Sequence, residues 1–464
     1  MIVQSFGGVE GVTGSCHLIT VDHMKILVDC GMFQGLDEEK NYEPFGFNPK
    51  DIDYLILTHA HIDHCGRIPL LVKQGFKGKI ISTKATYHVA RIMLLDASKV
   101  MQEEYKVNYK KALRKGKPEE AKPPLYDEDD VFYAMEFFKV FLDYNQKYKL
   151  SKNVEIVFRN AGHILGSAYV EITVKEDGKI KKVIFSGDLG TDDKLVIKQL
   201  DYPKSADVLF IESTYGNRNH KPLEETIKEF KKAITDSFKD GGNIVIPTFA
   251  LERAQEILFI LRKMYDNGEL PPCKIFLDSP LAISATKLFL QYPEYLSNDV
   301  VEYLKKGKNP FVFPWVYFTE SVEASKKIND IESGAIILAG SGMCNGGRVK
   351  HHLKHNLWRE NSSVIFVGYQ AKGTLGRQIV DGAKTVKIYG EEIAVKAKIY
   401  TINGFSAHAD QKTLLKFIKS IKNLQSLFLI HGEVEVMNIF KEKILQETRL
   451  KPHVVKEREL IYII

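Results

Sequence analysis

Cysteine is scarce in this sequence: Cys16, Cys30, Cys65, Cys273 and Cys344 stand far apart in 464 residues, and no two form a C-x-x-C pair. An odd, scattered set excludes a disulfide framework and leads us to expect reduced thiols and a cytoplasmic location. Long apolar runs are also missing. No window approaches about 18 uninterrupted apolar residues, so no membrane span is expected. The opening Met1-Ile-Val-Gln-Ser-Phe-Gly-Gly has no basic region followed by a long apolar segment, so no signal peptide is expected either. Low-complexity segments and internal repeats are absent, which sets aside a repeat array. Excess charge of one sign is small. A formal charge of +6 suits a polyanionic substrate, and suits a generic soluble enzyme equally well.

What the chain does have is ligand chemistry. "LTHAHIDHCGRIP", Leu57 to Pro69, puts His59, His61, Asp63 and His64 within six residues, directly after the apolar run Tyr54-Leu-Ile-Leu57. The run reads as a buried strand and the residues from Gly66 as the start of a helix. The cluster therefore sits on a strand-to-helix loop, where a rigid scaffold commonly presents chemistry. Along an extended segment His59 and His61 point the same way, while Asp63 and His64 turn toward a second point. One mononuclear site would rarely use all four, so the spacing suggests two adjacent metals. The competing reading is a set of surface histidines. With 14 histidines in the chain, a chance H-x-H-x-D-H is expected in roughly one such chain in a thousand, which weighs against it.

Hydrophobic residues at 44% and charged residues at 27% suit a globular chain long enough for two domains, or for one domain carrying a large insertion. Residues 1 to about 60 alternate short strands with glycine turns. A further strand covers 78–82, and a helix runs from Thr86 to about Gly116, with the basic run Lys106, Lys110, Lys111, Arg114, Lys115 and Lys117 within it and just past its end. Such a run reads as a solvated helix face, with RNA contact as the alternative. Strands return at 154–158, 168–173, 182–185 and 208–211. From about residue 220 helices and strands alternate, with Leu223, Ile227, Phe230, Ile234 and Phe238 on one helical face, which predicts a parallel sheet covered by helices on both sides. From Val395 onward short strands are expected to resume. We therefore read a β-rich domain interrupted by an α/β insertion: residues 1–217 and 401–464 around residues 218–400.

More ligand-type residues follow apolar strands close to a glycine: Asp29 in "ILVDCG", His163 in "NAGHILGSA", Asp188 in "IFSGDLG" and His431 in "LFLIHGE". Together with the first cluster they offer nitrogen and oxygen ligands for two metals, a set that suits zinc. In this order they resemble the metal motifs of the metallo-β-lactamase superfamily. "FIESTYGNR" around Glu212, "FSAHAD" around His408 and "IHGE" around His431 resemble the additional motifs of its β-CASP branch. "PTFALERAQE", "LDSPLA", "AGSGMCNGGR" and "GTLGRQ" are similar to further stretches of that branch. The resemblance covers nearly the whole chain. It is closest to the prokaryotic ribonucleases similar to the cleavage nuclease of eukaryotic pre-mRNA 3′-end processing.

The resemblance implies an α/β fold, a metallo-β-lactamase αββα sandwich with an inserted Rossmann-like β-CASP domain. It implies two Zn2+ per chain, one held by His59, His61, His163 and Asp188. The other is held by Asp63, His64, Asp188 and His431, with Asp188 shared. Asp29 would orient the ligand loop, and His408, supported by Glu212, would protonate the leaving oxygen. Two zinc ions suit in-line phosphoryl displacement by water, which gives 5′-phosphate and 3′-hydroxyl ends. Ser341 and Gly342, between a strand and a helix, are candidate phosphate contacts through backbone N–H groups, with a purely structural turn as the alternative. Arg253, Arg348 and Arg377 are further candidates for backbone phosphates.

The leading expectation is a zinc-dependent ribonuclease cutting single-stranded RNA in a groove between its domains. Endonuclease action is favoured, and 5′-to-3′ exonuclease action is left open. No membrane partner is expected, while a homodimer and an RNA-processing complex both stay open. The rivals are a DNA nuclease of the repair type, whose subfamily typically has valine at the position of His431, and a small-molecule metallo-hydrolase, which would lack the insertion. A scaffold subunit without activity would lose metal ligands, and here every one is present.

Overall fold

The computed structural model describes residues 1–176 and 178–463. The chain forms two compact units. One comprises Met1–Asp192, Gln199–Asn219 and His408–Ile464; the other comprises Asp193–Lys198 and His220–Ala407.

The first unit opens with β1 (Ile2–Ser5), β2 (His17–Val21) and β3 (Met24–Val28), an antiparallel meander set by tight turns. The chain then adds β4 (Tyr54–Ile56), β5 (Lys79–Ser82) and β6 (Phe138–Phe141), each parallel to the strand before it. Helices Ile68–Lys73, Lys84–Arg114 and Glu128–Met135 fill the crossovers. A second sheet starts with β7 (Lys147–Lys149), β8 (Val154–Asn160), β9 (Ala168–Glu176) and β10 (Lys179–Phe185), all antiparallel, and continues with β11 (Val208–Glu212), parallel to β10.

The second unit holds a six-stranded sheet built from β12 (Ile244–Pro247), β13 (Lys274–Asp278), β14 (Val316–Phe318), β15 (Ala335–Ala339) and β16 (Ser363–Phe366). A small hairpin, β17 (Thr385–Ile388) and β18 (Glu391–Ala394), precedes the sixth strand, β19 (Lys398–Thr401). The order is β14-β13-β15-β12-β16-β19 and every pair is parallel. Parallel strands need crossovers and are covered on both faces, and here all residues of β12, β15 and β16 are buried, as that burial demands. Val245, Ile337 and Val364 pack one face against Val349 and Leu353 of the Val349–Asn356 helix.

The chain then returns to the first unit. Strand β20 (Ser426–Ile430) joins β11, β21 (His453–Val454) joins β20, and β22 (Leu460–Tyr462) pairs with β1. Two seven-stranded sheets result. Alternate residues face inward: Ile19, Ile26, Val28 and Ile56 from the first sheet meet Ile156, Phe158, Val183 and Phe210 from the second. Each such side chain, fully buried, contributes on the order of 1.5–3 kcal/mol. The opposite residues of the second sheet, Tyr169, Ile184 and Leu209, pack under Leu414, Phe417, Phe440 and Ile444 of helices Gln411–Ser420 and Val434–Glu447. This is an αββα sandwich.

The region after Val395 differs from the sequence reading. Short strands do resume, as β19, β20, β21 and β22, but β19 completes the sheet of the inserted unit and two helices that the sequence reading did not give lie between the others. Leu414, Leu415, Phe417 and Ile418 recur at helical spacing and bury one face of the first of these helices on the second sheet. The sequence reading also missed β6 and β7, whose short polar–apolar runs carry little signal. Among the described residues, no helix is long and apolar enough to cross a membrane.

Candidate metal centre

Every ligand-type residue of the first unit leaves the carboxyl end of a strand or follows one closely. Asp29 follows β3, and His59 and His61 follow β4. Asp63 and His64 sit in the short helix Ile62–Cys65 just beyond. His163 follows β8, Asp188 follows β10, Glu212 ends β11 and His431 follows β20. Strands β3 and β4 are parallel, and β8, β10, β11 and β20 run in one sense, so these ends collect along one edge of each sheet. Glycine lets the loops close. A Cβ on Gly31 would lie 1.6 Å from the Asp63 carbonyl oxygen, so no larger residue fits after Cys30.

The side chains converge in two sets. In one, ligand atoms of His59, His61, His163 and Asp188 all lie within 4.8 Å of one another; in the other, those of Asp63, His64, Asp188 and His431 do. Asp188 belongs to both. Its Oδ2 lies 3.5 Å from His59 Nε2 and 3.6 Å from His163 Nε2, while its Oδ1 lies 3.2 Å from His64 Nε2 and 3.4 Å from His431 Nδ1. Asp63 Oδ2 is 3.4 Å from His431 Nε2. Ligand atoms on a tetrahedron with metal distances of about 2.0–2.1 Å sit about 3.3 Å apart, so these spacings fit zinc. Both Asp188 oxygens and His59 Nε2 are buried without a hydrogen-bond partner. Burying unpaired polar atoms costs several kcal/mol in order of magnitude, a cost that bound cations remove.

The electrostatics of the first set agree with that role, while Asp188, Asp29 and Asp63 together favour a proton on His64 against the effect of its burial. Burial and the neighbouring imidazole of His59 push His61 down to about 3, and burial holds His59 and His163 low as well, so these rings are neutral and keep a lone pair for a metal. Burial opposes ionisation of Asp188, but the imidazoles of His431, His64 and His408 hold it far below the usual carboxylate range.

Asp29 stands outside both sets and controls two of their members. Its Oδ1 accepts the Thr58 N–H at 2.8 Å; its Oδ2 accepts the Thr58 hydroxyl at 2.8 Å and faces His64 Nδ1 at 2.7 Å. The Thr58 oxygen in turn lies 3.0 Å from His59 Nδ1. With protons on Nδ1 of both histidines, Nε2 of each is left facing Asp188. Asp29 adopts φ 63°, a conformation disfavoured for a side chain with Cβ, which aims its carboxylate at these partners. Asp29→Asn is expected to weaken zinc binding about 10–100-fold, read by competition with a chelator. Unchanged affinity would show that the histidines orient themselves.

His408 and Glu212 form a third group with Asp188. His408 Nδ1 is 3.3 Å from Glu212 Oε1, which also accepts the Leu189 N–H at 2.8 Å. Glu212 Oε2 accepts the Thr214 N–H at 3.2 Å, so the carboxylate is fixed by backbone on both sides. Burial works against charge on His408, but Glu212 and Asp188 outweigh it and raise the ring to about 9.

The sequence-derived substrate residues lie in the second unit. Ser341 and Gly342 follow β15, with the Ser341 hydroxyl accepting the Gly346 N–H at 3.3 Å and Gly342 O accepting Gln370 Nε2 at 2.9 Å. Arg348 is committed internally, to Asp278 at 2.8 Å and to the carbonyls of Thr319 and Glu320. Arg253 is buried against Glu256 and the Phe405 ring. Arg377, paired with Asp381 just past the end of its helix, has the most exposed side chain of the three. The basic character read along the sequence did not reveal these internal partners.

Sequence reasoning also missed Thr58, Thr214 and His17. The Thr214 hydroxyl lies 3.2 Å from His431 Nδ1. His17 is wedged between the hydroxyls of Ser5 at 2.8 Å and Ser15 at 3.2 Å, and burial lowers it to about 4. Thr58 stood in view beside His59; its partner 29 residues away did not.

Comparison with known proteins places this geometry. Residues 9–209 match the Metallo-beta-lactamase superfamily, residues 254–379 the Beta-Casp domain, and residues 392–455 the Zn-dependent metallo-hydrolase RNA specificity domain. The chain is 39% identical to Ribonuclease TTHA0252 of Thermus thermophilus over 94% of both chains. It is 32% identical to an RNase J-like protein of Methanocaldococcus jannaschii over 93% of both chains. It is also 32% identical to Transcription termination factor FttA of Methanosarcina mazei, over 96% of this chain and 70% of that one. A solved protein of unknown function from Enterococcus faecalis shares the fold with a TM-score of 0.56 at 14% identity, covering 99% of each chain.

Proposed function

Because the chain belongs to the β-CASP branch of the metallo-β-lactamase superfamily, we propose that it is a two-zinc ribonuclease that cleaves single-stranded RNA internally and leaves 5′-phosphate and 3′-hydroxyl ends. The observation that carries the metal reading is Asp188, with one unpartnered buried oxygen facing each of two histidine-rich sets. His59, His61, His163 and Asp188 would hold one ion, and Asp63, His64, Asp188 and His431 the other. Bound there, the ions would lower the pKa of an attacking water and neutralise charge building on the phosphate.

The chain's own groups supply the rest. Asp29 fixes the tautomers of His59 and His64 through Thr58 and directly. Glu212 keeps His408 protonated and pointed, and His408 delivers the proton to the departing 3′ oxygen. The RNA specificity match at residues 392–455 and the ribonuclease names among the relatives support RNA over DNA.

The test pairs metal analysis with a topological substrate. Purified protein is expected to carry about two zinc ions per chain and to cut an internally labelled circular RNA, losing activity on chelation. Absence of transition metal with activity intact after chelation overturns the metal reading. Cleavage of linear 5′-monophosphate RNA alone overturns the endonuclease assignment.

A further inference from the structure

The helix Lys84–Arg114 is 31 residues long, yet its second half packs little: from Glu103 to Arg114 the single buried residue is Ala112. Its outward row is Lys106, Lys110 and Arg114, all exposed, spaced four residues apart. Such residues stack one above the next on a helix, about 6 Å apart along the axis, a step comparable to the phosphate spacing of an extended single strand. Among the described residues, none of the three has a carboxylate within ion-pair distance, whereas Lys117 and Lys122 just beyond the helix pair with Glu120 and Glu39. Like charges in an i,i+4 row repel, and the negative end of the helix dipole, where Arg114 lies in the last turn, offsets only part of that cost. Tyr109, Leu113 and Val107, 39%, 55% and 52% exposed, flank it with apolar and aromatic surface.

The opposite side of the same segment has a different character. It lines a cavity of about 450 Å³ in which Glu38, Glu39, Glu104 and Glu120 meet Lys111, Lys115 and Lys122, so charges of both signs lie close together there. The two sides therefore differ, with mixed charge toward the helix's own unit and the basic row Lys106, Lys110 and Arg114 toward solvent.

Its position relative to the metal ligands is fixed at its start. The hydroxyls of Thr83 and Thr86 both donate to the Gly166 carbonyl, at 2.8 and 2.9 Å, and Gly166 lies on the loop that carries His163. From Lys84, the helical rise places Lys106 about 33 Å and Arg114 about 45 Å along the axis.

We propose that the Lys106–Lys110–Arg114 face is an RNA track, which holds the sugar-phosphate backbone of a long substrate at a distance from the metal centre while Tyr109 offers a ring for base stacking. This rests on the ribonuclease reading above and adds to it a reason for preferring long single strands over short ones. Phosphate contacts of this kind are sequence-independent and are read through salt dependence.

The experiment uses the full chain. Lys106→Gln/Lys110→Gln/Arg114→Gln is made in the Asp63→Ala background for binding and in the unaltered chain for cleavage. The probes are a single-stranded RNA of about 30 nucleotides, ample for such a groove-tracking contact, and a tetranucleotide too short to reach from the metal centre. On the long RNA, loss of three phosphate contacts is expected to flatten the slope of log affinity against log salt by about 2 units, with KM raised and kcat unchanged. On the tetranucleotide, cleavage by variant and parent is expected to match. Lys106→Arg/Lys110→Arg keeps the charge and is expected to behave as the parent.

An unchanged salt slope on the long RNA, with cleavage otherwise normal, overturns the track and leaves the ribonuclease reading standing; the same result is expected if this face docks a protein instead. Failure of both proteins to cleave any RNA overturns the ribonuclease reading, and the track with it.

Discussion

Asp188→Asn is expected to lose at least about 10³-fold in RNA cleavage rate, since electrostatic stabilisation by metal is worth several kcal/mol and each 1.36 kcal/mol is tenfold. The expectation follows from the two orphaned oxygens. Oδ2 faces His59 and His163, and Oδ1 faces His64 and His431. Asparagine keeps one of these as an acceptor and turns the other into an N–H₂ donor that cannot ligate a cation. Elemental analysis is accordingly expected to find one zinc or fewer per chain where the parent holds about two. The side chain is nearly isosteric and the backbone at Gly187 and Leu189 is held by its own contacts, so the fold should persist. A variant with full zinc content and near-normal turnover would remove Asp188 from the metal centre.

His408 is expected to behave differently from every ligand. His408→Ala should retain zinc and lose about 10²–10⁴-fold in rate, the usual contribution of positioned proton transfer. An RNA whose 3′ bridging oxygen is replaced by sulfur has a leaving group that needs little protonation, and it should recover much of that loss. His431→Ala, whose ring sits 3.4 Å from Asp63 and 3.4 Å from Asp188, should instead lower metal content and gain little from the same substrate. Equal zinc and equal rescue in the two variants would reverse the assignments.

The pH profile gives an independent reading of the same residue. A general acid works while protonated, so the rate falls as pH rises through its pKa. Glu212 and Asp188 raise His408 against the effect of burial. In Glu212→Gln the largest raising influence is removed, and the alkaline limb should move to lower pH; in His408→Ala that limb should disappear. An alkaline limb unmoved by either substitution would belong to another group.

Both residues of the His408–Glu212 pair were legible as motifs, because "FSAHAD" and "FIESTYGNR" are short, distinctive strings. So were the residues that converge at the candidate metal centre: H-x-H-x-D-H is local, and Asp29, His163, Asp188 and His431 each follow an apolar strand that periodicity reveals. The alternation of helices and strands from residue 220 likewise announced a parallel sheet, since strands buried on both faces must be continuously apolar. These features are written in neighbouring residues, and neighbouring residues are what a sequence displays.

What tertiary structure alone decided is everything that depends on distant partners. The chain order does not say that the Thr58 hydroxyl links His59 to Asp29, or that Asp29 enters the left-handed region to face it. Arg348 and Arg253 looked like phosphate contacts until Asp278 and Glu256 were found holding them. The apolar face Leu414, Leu415, Phe417 and Ile418 found its partner because the second sheet offered a face to cover, and β19 joined the inserted unit because β16 offered an edge to pair. A side chain's charge and a segment's period are local properties. Whether that charge is already satisfied, and which surface that segment buries, is settled by groups far away in sequence, and only folding brings them together.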